Sequence, residues 1–152
     1  MINKINKLPQ SKFIEVFANI FENSSWIASK LYKEKPFDSF ENLSSKILGI
    51  FDNAAKERQL NVLNAHPDLA DKIKIGSLTP DSKKEQINAG LDQCSEKELN
   101  EFKDLNYKYK KKFGFPFIYA VKGKTKKEIL GNFRQRVSCD INVEFEEAKK
   151  QV

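Results

Sequence analysis

Apolar residues recur along this chain mostly three and four positions apart, the repeat that gathers them on one face of an α-helix. In SKFIEVFANIFE, which starts at Ser11, the residues Phe13, Val16, Phe17 and Ile20 share a face, with Ser11 as candidate N-cap. SSWIASKLY offers Trp26, Ile27 and Leu31 for burial, and SFENLSSKILGIF sets Phe40, Leu43, Ile47 and Ile50 together. AAKERQLNVLNA, with Ala55, Leu60 and Leu63, runs up to His66, where Pro67 predicts the end of a helix. TPDSKKEQINAGLDQC predicts a further helix capped at Thr79 or Ser82. SEKELNEFKDLNYKYKKKF is the longest periodic run; Ser95 and Glu98 have the spacing of a capping box, Leu99, Phe102, Tyr109 and Phe113 line one face, and Gly114 is placed to stop it. TKKEILGNFRQRV repeats the capping signature with Thr125 and Glu128, and NVEFEEAKKQV opens a last helix. FGFPFIYAV, residues 113–121, resists the helical period, and Pro116 between Gly114 and Gly123 predicts a non-helical apolar crossover. The pattern predicts an all-α fold, a single domain spanning 1–152, in a compact irregular array of about seven to eight mostly short helices rather than a simple four-helix bundle.

A chain of 152 residues with 39% hydrophobic content and 12 phenylalanines has enough apolar surface for a core without metal or disulfide support. Cys94 and Cys139 form neither a disulfide framework nor a zinc motif, and buried free thiols in a reducing compartment are the expected state. The N-terminal MINKINKLPQ lacks the apolar run of a signal peptide, and no stretch has the length of a membrane span, so the cell interior is the expected location. The net charge of +6 raises nucleic acid as a partner, and the Lys-rich runs KYKKKFG and VKGKTKKE concentrate it. Arginine, the usual reader of base edges, appears only as Arg58, Arg134 and Arg136, and no recognition motif accompanies the lysines. A basic helical nucleic-acid binder therefore stays as a minor alternative, and a small anionic substrate would gain equally from a positive field.

His66 is the single histidine and the one side chain whose ordinary pKa lies near neutrality. It stands in AHPDLA, in a turn after a helix. Three roles are open to it: proton donor or acceptor, metal ligand, or a helix-end residue bonded to a free carbonyl. Metal binding is the weakest, since no second histidine or cysteine cluster exists. Asp68 would orient His66 or cap the segment LADKIKI, with capping the simpler use. Ser82 and Glu85 have capping-box spacing, which explains them without function; alternatively Glu85 and Gln86 face a ligand from the first turn of a helix. Phe113, Phe115 and Phe117 are candidate core anchors. The backbone of the crossover needs partners that a ligand rich in amide or urea groups would supply. Arg134 and Arg136, two apart on a helix, point to different faces.

Together, HPDLADK at 66–72, SKKEQINAGLD at 82–92 and LNYKYKKKFGFPFIYAVKGKTKKEIL at 105–130 resemble the OHCU decarboxylase family, the 2-oxo-4-hydroxy-4-carboxy-5-ureidoimidazoline decarboxylases of urate oxidation. The elements occur in family order and spacing. The resemblance implies an all-helical, cofactor-free homodimeric enzyme that binds neither metal, membrane nor nucleic acid and converts OHCU to (S)-allantoin and carbon dioxide. It implies catalytic roles for His66 and Glu85. Pro67, Ser82, Gln86 and the stretch Phe117, Ile118, Tyr119, Ala120 and Val121 would line the substrate site, the last five through backbone groups. This chain has Asp71 where the family commonly has Gly, and Cys139 with Asp140 where it has Asn-Asp. Family members carry an arginine for the substrate carboxylate further along the last helix than Val152, and Arg134 and Arg136 are not its obvious counterparts. A catalytically impaired relative that binds ligands or partners is accordingly the first alternative, ahead of the nucleic-acid binder.

Overall fold

The computed structural model describes all residues except 19, 22–23, 71–83 and 85–86. The described residues form eight α-helices and one short 3-10 turn, with no strand. They fall into two compact units, Met1–Ala65 and His66–Val152.

The first unit contains α1 (Ile2–Asn6), α2 (Gln10–Phe17), α3 (Ser25–Tyr32), α4 (Phe40–Asp52) and α5 (Lys56–Asn64). α2 packs on α3 and α3 on α4. The core is aromatic: Phe13 stacks on Phe37 at 6.1 Å and meets Tyr32 edge-on at 5.5 Å, and Phe21 stacks on Phe51 at 5.1 Å. Such pairs add to the transfer energy of the buried rings. Ser39 caps α4, accepting from the Asn42 N–H at 3.1 Å. Gln59, buried on α5, donates from Nε2 to the carbonyls of Phe51 at 3.0 Å and Asp52 at 2.9 Å, and so satisfies the end of α4.

Several expectations shift here. Ser11 lies inside α2, whose N-cap is Pro9, so it caps nothing. Val16, Ile20 and Phe40 are exposed, and Trp26 is only half-buried, with Lys30 and Arg58 over its ring. The buried stripe of α4 is Leu43, Ile47 and Phe51, and that of α5 is Gln59, Val62 and Leu63. A period of 3.6 identifies a face only to within one neighbour; the packed partner chooses which edge of the face is covered.

The second unit contains a 3-10 turn (Leu91–Gln93), α6 (Glu96–Phe113), α7 (Lys126–Arg136) and α8 (Ile141–Gln151). Two of the three predicted capping boxes are present, Ser95 with Glu98 opening α6 and Thr125 with Glu128 opening α7, while Ser82 and Glu85 lie outside the described residues. Gly114 ends α6 at φ +80°, a conformation open to glycine at no steric cost. Asp140 caps α8. The 18-residue α6 packs against α7 and α8. Between α6 and α7 the chain is neither helix nor strand over residues 116–121, as the crossover reading expects. Phe113, Phe115 and Phe117 are all buried there, and Phe117 stacks flat on Phe133 at 3.8 Å. Cys94 is buried, but Cys139, in the bend that follows α7, is partly exposed. The helix expected from Thr79 or Ser82, and the segment after Asp71, lie largely outside the described residues.

Candidate functional site

α5 ends at Asn64, and the Ala65 N–H closes it onto the carbonyls of Asn61 at 3.0 Å and Val62 at 3.2 Å. His66 and Pro67 then form a half-buried turn. Two residues of α6, one helical turn apart, hold this turn. Asn106 donates from Nδ2 to the Leu69 carbonyl at 3.1 Å, and Lys110 pairs through Nζ with the Asp68 carboxylate at 2.8 Å. The Asp68 carboxylate thus answers a lysine 42 residues away, and most of the segment it was expected to cap lies outside the described residues. Asn106 is buried, and its Oδ1 has no partner among the described residues. Ala70, buried and at φ +59°, closes the turn in the left-handed region. That region costs an alanine about 1 kcal/mol and persists where the surroundings impose it.

The crossover is held by residues of α7 and α8. Arg136 is buried at the end of α7. Its Nε donates to Glu144 Oε1 at 2.8 Å, its Nη2 donates to the same oxygen, and its Nη1 donates to the Ile118 carbonyl at 2.8 Å. The Tyr109 hydroxyl donates to that Glu144 oxygen as well, and the guanidinium lies 4.7 Å from the Phe117 ring centre. Burial, with the carboxylate of Glu144 beside it, pushes the Tyr109 phenol well above its ordinary range, so Tyr109 stays a neutral donor. Farther along, the Ala120 N–H donates to Gln151 Oε1 at 3.0 Å, from the last turn of α8. The rings of Phe115 and Phe117 and the side chain of Ile118 are spent on the core. What the crossover can offer a small molecule is therefore backbone, the half-buried Tyr119 ring and the exposed Ala120. The backbone groups of Phe117 and Tyr119 make no hydrogen bond among the described residues.

Of the expected site residues, His66, Pro67 and Phe117 to Val121 are placed; α6 ties the turn through Asn106 and Lys110 and meets the crossover through the Tyr109 ring against Phe115 and Phe117. Ser82, Glu85, Gln86 and Asp71 lie outside the described residues. Arg134, by contrast with Arg136, is exposed and pairs with Glu101 at 2.6 Å, which holds the Glu101 carboxyl below its usual range. The Lys-rich runs are partly consumed internally. Lys108 pairs with Asp104, Lys110 with Asp68 and Lys126 with Glu98, while Lys112 donates to the carbonyls of Val137 and Cys139. Among the described residues no three His, Cys, Asp or Glu side chains are placed to share a metal ion, and no helix is long and apolar enough to cross a membrane.

The positioning residues Asn106, Arg136, Glu144 and Gln151 carry no motif. One signal was available: Asn106 sits in the apolar stripe of Phe102, Leu105, Tyr109 and Phe113, and Arg136 continues the stripe of Ile129 and Phe133. A polar residue at a core position of a helical period announces a buried partner, though not which one.

The OHCU decarboxylase family profile matches residues 6–152. The chain is 37% identical to the uric acid degradation bifunctional protein of Bacillus sp. (strain TB-90), over 99% of its own length and 30% of that protein. It is 34% identical to the 2-oxo-4-hydroxy-4-carboxy-5-ureidoimidazoline decarboxylase of Haloferax volcanii, over 99% of this chain and 88% of that one. Among solved structures, an (S)-allantoin synthase superposes with a TM-score of 0.80 at 26% identity, covering 99% of this chain and 49% of the other. An OHCU decarboxylase crystallised in the presence of (S)-allantoin superposes with a TM-score of 0.70 at 28% identity, over 90% and 87% of the two chains. The chain thus spans under a third of the Bacillus protein and most of the Haloferax one.

Proposed function

Because the chain belongs to the OHCU decarboxylase family, we propose that it decarboxylates OHCU to (S)-allantoin in urate degradation, with His66 and Glu85 as its acid–base pair. The observation that carries the reading is the turn at His66: the single imidazole of the chain stands in a half-buried loop that two side chains of α6 hold in place. A helix-end histidine of no consequence would need no such support, whereas a proton-transfer group must be held within reach of its substrate.

The substrate makes the reaction possible without an added electron sink. The carbon that bears the carboxylate also bears a hydroxyl, and its ring neighbour is doubly bonded to nitrogen. As the bond to carbon dioxide breaks, its electron pair forms a carbon–carbon double bond, and the former imine nitrogen takes up a proton. The product of this step is an enol. Loss of the hydroxyl proton and delivery of a proton to the neighbouring carbon give the ketone, which is allantoin. Delivery from one face sets a single enantiomer. His66 and Glu85 would bond the hydroxyl and ring groups and relay these protons, gaining rate from orientation as well as from proton transfer. Pro67, Ser82 and Gln86 would complete the pocket, and residues 117–121 would meet the ring and ureido groups through backbone donors and acceptors. The protein would act as a homodimer in the cell interior, without metal or organic cofactor.

The test is to add the protein to freshly generated OHCU and follow the chirality of the allantoin formed by circular dichroism. Formation faster than in buffer, with the (S) enantiomer in excess, is the expected outcome. Racemic product at the buffer rate defeats the proposal, and tight binding of allantoin without turnover would identify a ligand-binding relative instead.

A further inference from the structure

Two charges in the core of the second unit require an explanation. Arg136 and Glu144 are both buried, Glu144 to 1% exposure. Removing an ion pair from water costs several kcal/mol per ion, and well-packed apolar residues often serve stability as well or better. The contacts indicate what this pair does instead. Glu144 Oε1 collects Nε and Nη2 of Arg136 and the hydroxyl of Tyr109, which fixes the plane of the guanidinium. A planar fork fixed at two nitrogens aims the third, and Nη1 points to the Ile118 carbonyl at 2.8 Å. The guanidinium face also covers the Phe117 ring. Three donors of this buried arginine are committed to the protein.

Gln151 supplies a second tie. Its Oε1 accepts from the Ala120 N–H at 3.0 Å, and its own amide is steadied by Nε2 donating to Glu147 at 2.8 Å. The two tied backbone groups, the carbonyl of residue 118 and the amide of residue 120, are two residues apart. Between these ties the N–H and C=O of Tyr119 are bonded to no described residue. A donor and an acceptor side by side match an amide or ureido group.

We propose that Arg136, locked by Glu144 and Tyr109, and Gln151 form a clamp that positions the backbone of residues 117–121 for substrate binding. These are positioning residues: they touch the wall of the site, not the reacting atoms. The proposal rests on the reading above that residues 117–121 line the substrate site, and it assigns the clamp to recognition rather than to chemistry.

The experiment uses the purified full chain in four forms: wild type, Arg136→Lys, Gln151→Leu and, as a control of equal charge on the exposed face of α7, Arg134→Lys. Amide hydrogen exchange of peptides covering residues 113–124 is measured alongside steady-state kinetics on OHCU. Exchange within 117–121 should rise about tenfold in Arg136→Lys and Gln151→Leu, with α6 unchanged. KM should rise roughly tenfold while kcat stays within about threefold. Arg134→Lys should move neither. Gln151 is half-buried at a helix end, so its variant keeps the test decisive where Arg136→Lys does not fold. Unchanged exchange in Gln151→Leu overturns the clamp. A fall in kcat with KM unchanged overturns its role in recognition. If wild type turns over no OHCU, the functional reading and the recognition role fall together, and exchange alone judges whether the clamp sets the segment.

Discussion

The His66 turn is half-buried and is tied to α6 by an exposed lysine and a buried asparagine. The crossover beyond α6 is packed among phenylalanines and tied by a buried arginine, glutamate and tyrosine. The two segments serve one proposed site and are held with different strength. An ion pair that is half exposed, like Lys110 with Asp68, contributes about 0.2–1 kcal/mol, whereas removing one partner of a buried pair costs about 3–5 kcal/mol. The difference matches their proposed work. A wall that recognises a polar ring by its backbone must keep its register over several residues, while an imidazole that trades protons needs a single turn held near its target.

The sharpest way to break this contrast is His66→Ala. It should lower kcat by about 10²–10⁴-fold, the range of general acid–base catalysis, with a smaller change in KM and an unchanged helical circular dichroism signal. Turnover within threefold of wild type would strip the turn of its chemical role. The next effect is on stability. Glu144→Leu leaves Arg136 buried and unpaired and should lower unfolding free energy by about 3–5 kcal/mol, whereas Lys110→Met should cost about 1 kcal/mol or less. Equal urea midpoints for the two variants would erase the distinction between strong and weak ties. Asn106→Ala lies between them. It strips the Leu69 carbonyl of its buried donor, for about 1–3 kcal/mol of stability. Turnover should fall roughly tenfold, because a loosened turn misplaces His66. A loss of stability with kcat intact would show that Asn106 supports the fold and not the site.

The smallest effect concerns α6, the helix that ties the His66 turn and packs its Tyr109 ring on the crossover. The Ser95 backbone N–H, and then Lys126, hold the Glu98 carboxyl down to about 2 from 4.5. A carboxyl lowered in the folded state stabilises above its unfolded pKa and loses that contribution as pH falls toward the folded one. Stability should therefore drop between pH 4.5 and about 2, and Glu98→Gln should flatten that part of the profile. An unchanged acid limb would show that this capping box contributes little.

The sequence alone determined what depends on neighbours within about one helical turn. The capping boxes at Ser95 and Thr125 and the stop at Gly114 read directly from three- and four-residue spacings. So did the non-helical crossover, since proline and glycine act on the residues beside them. His66 stood out because no other side chain in the chain has an ordinary pKa near neutrality. Only the tertiary structure decided which polar residues are buried and against what. Asn106 reaches a carbonyl 37 residues away, Tyr109 a carboxylate 35 away, and Arg136 a carbonyl 18 away. Arg134 and Arg136 are alike in sequence; one lies against water and the other against Glu144, because two residues turn a helix by about 200°. Local sequence states that such a side chain needs a partner, and the packing of three helices supplies it.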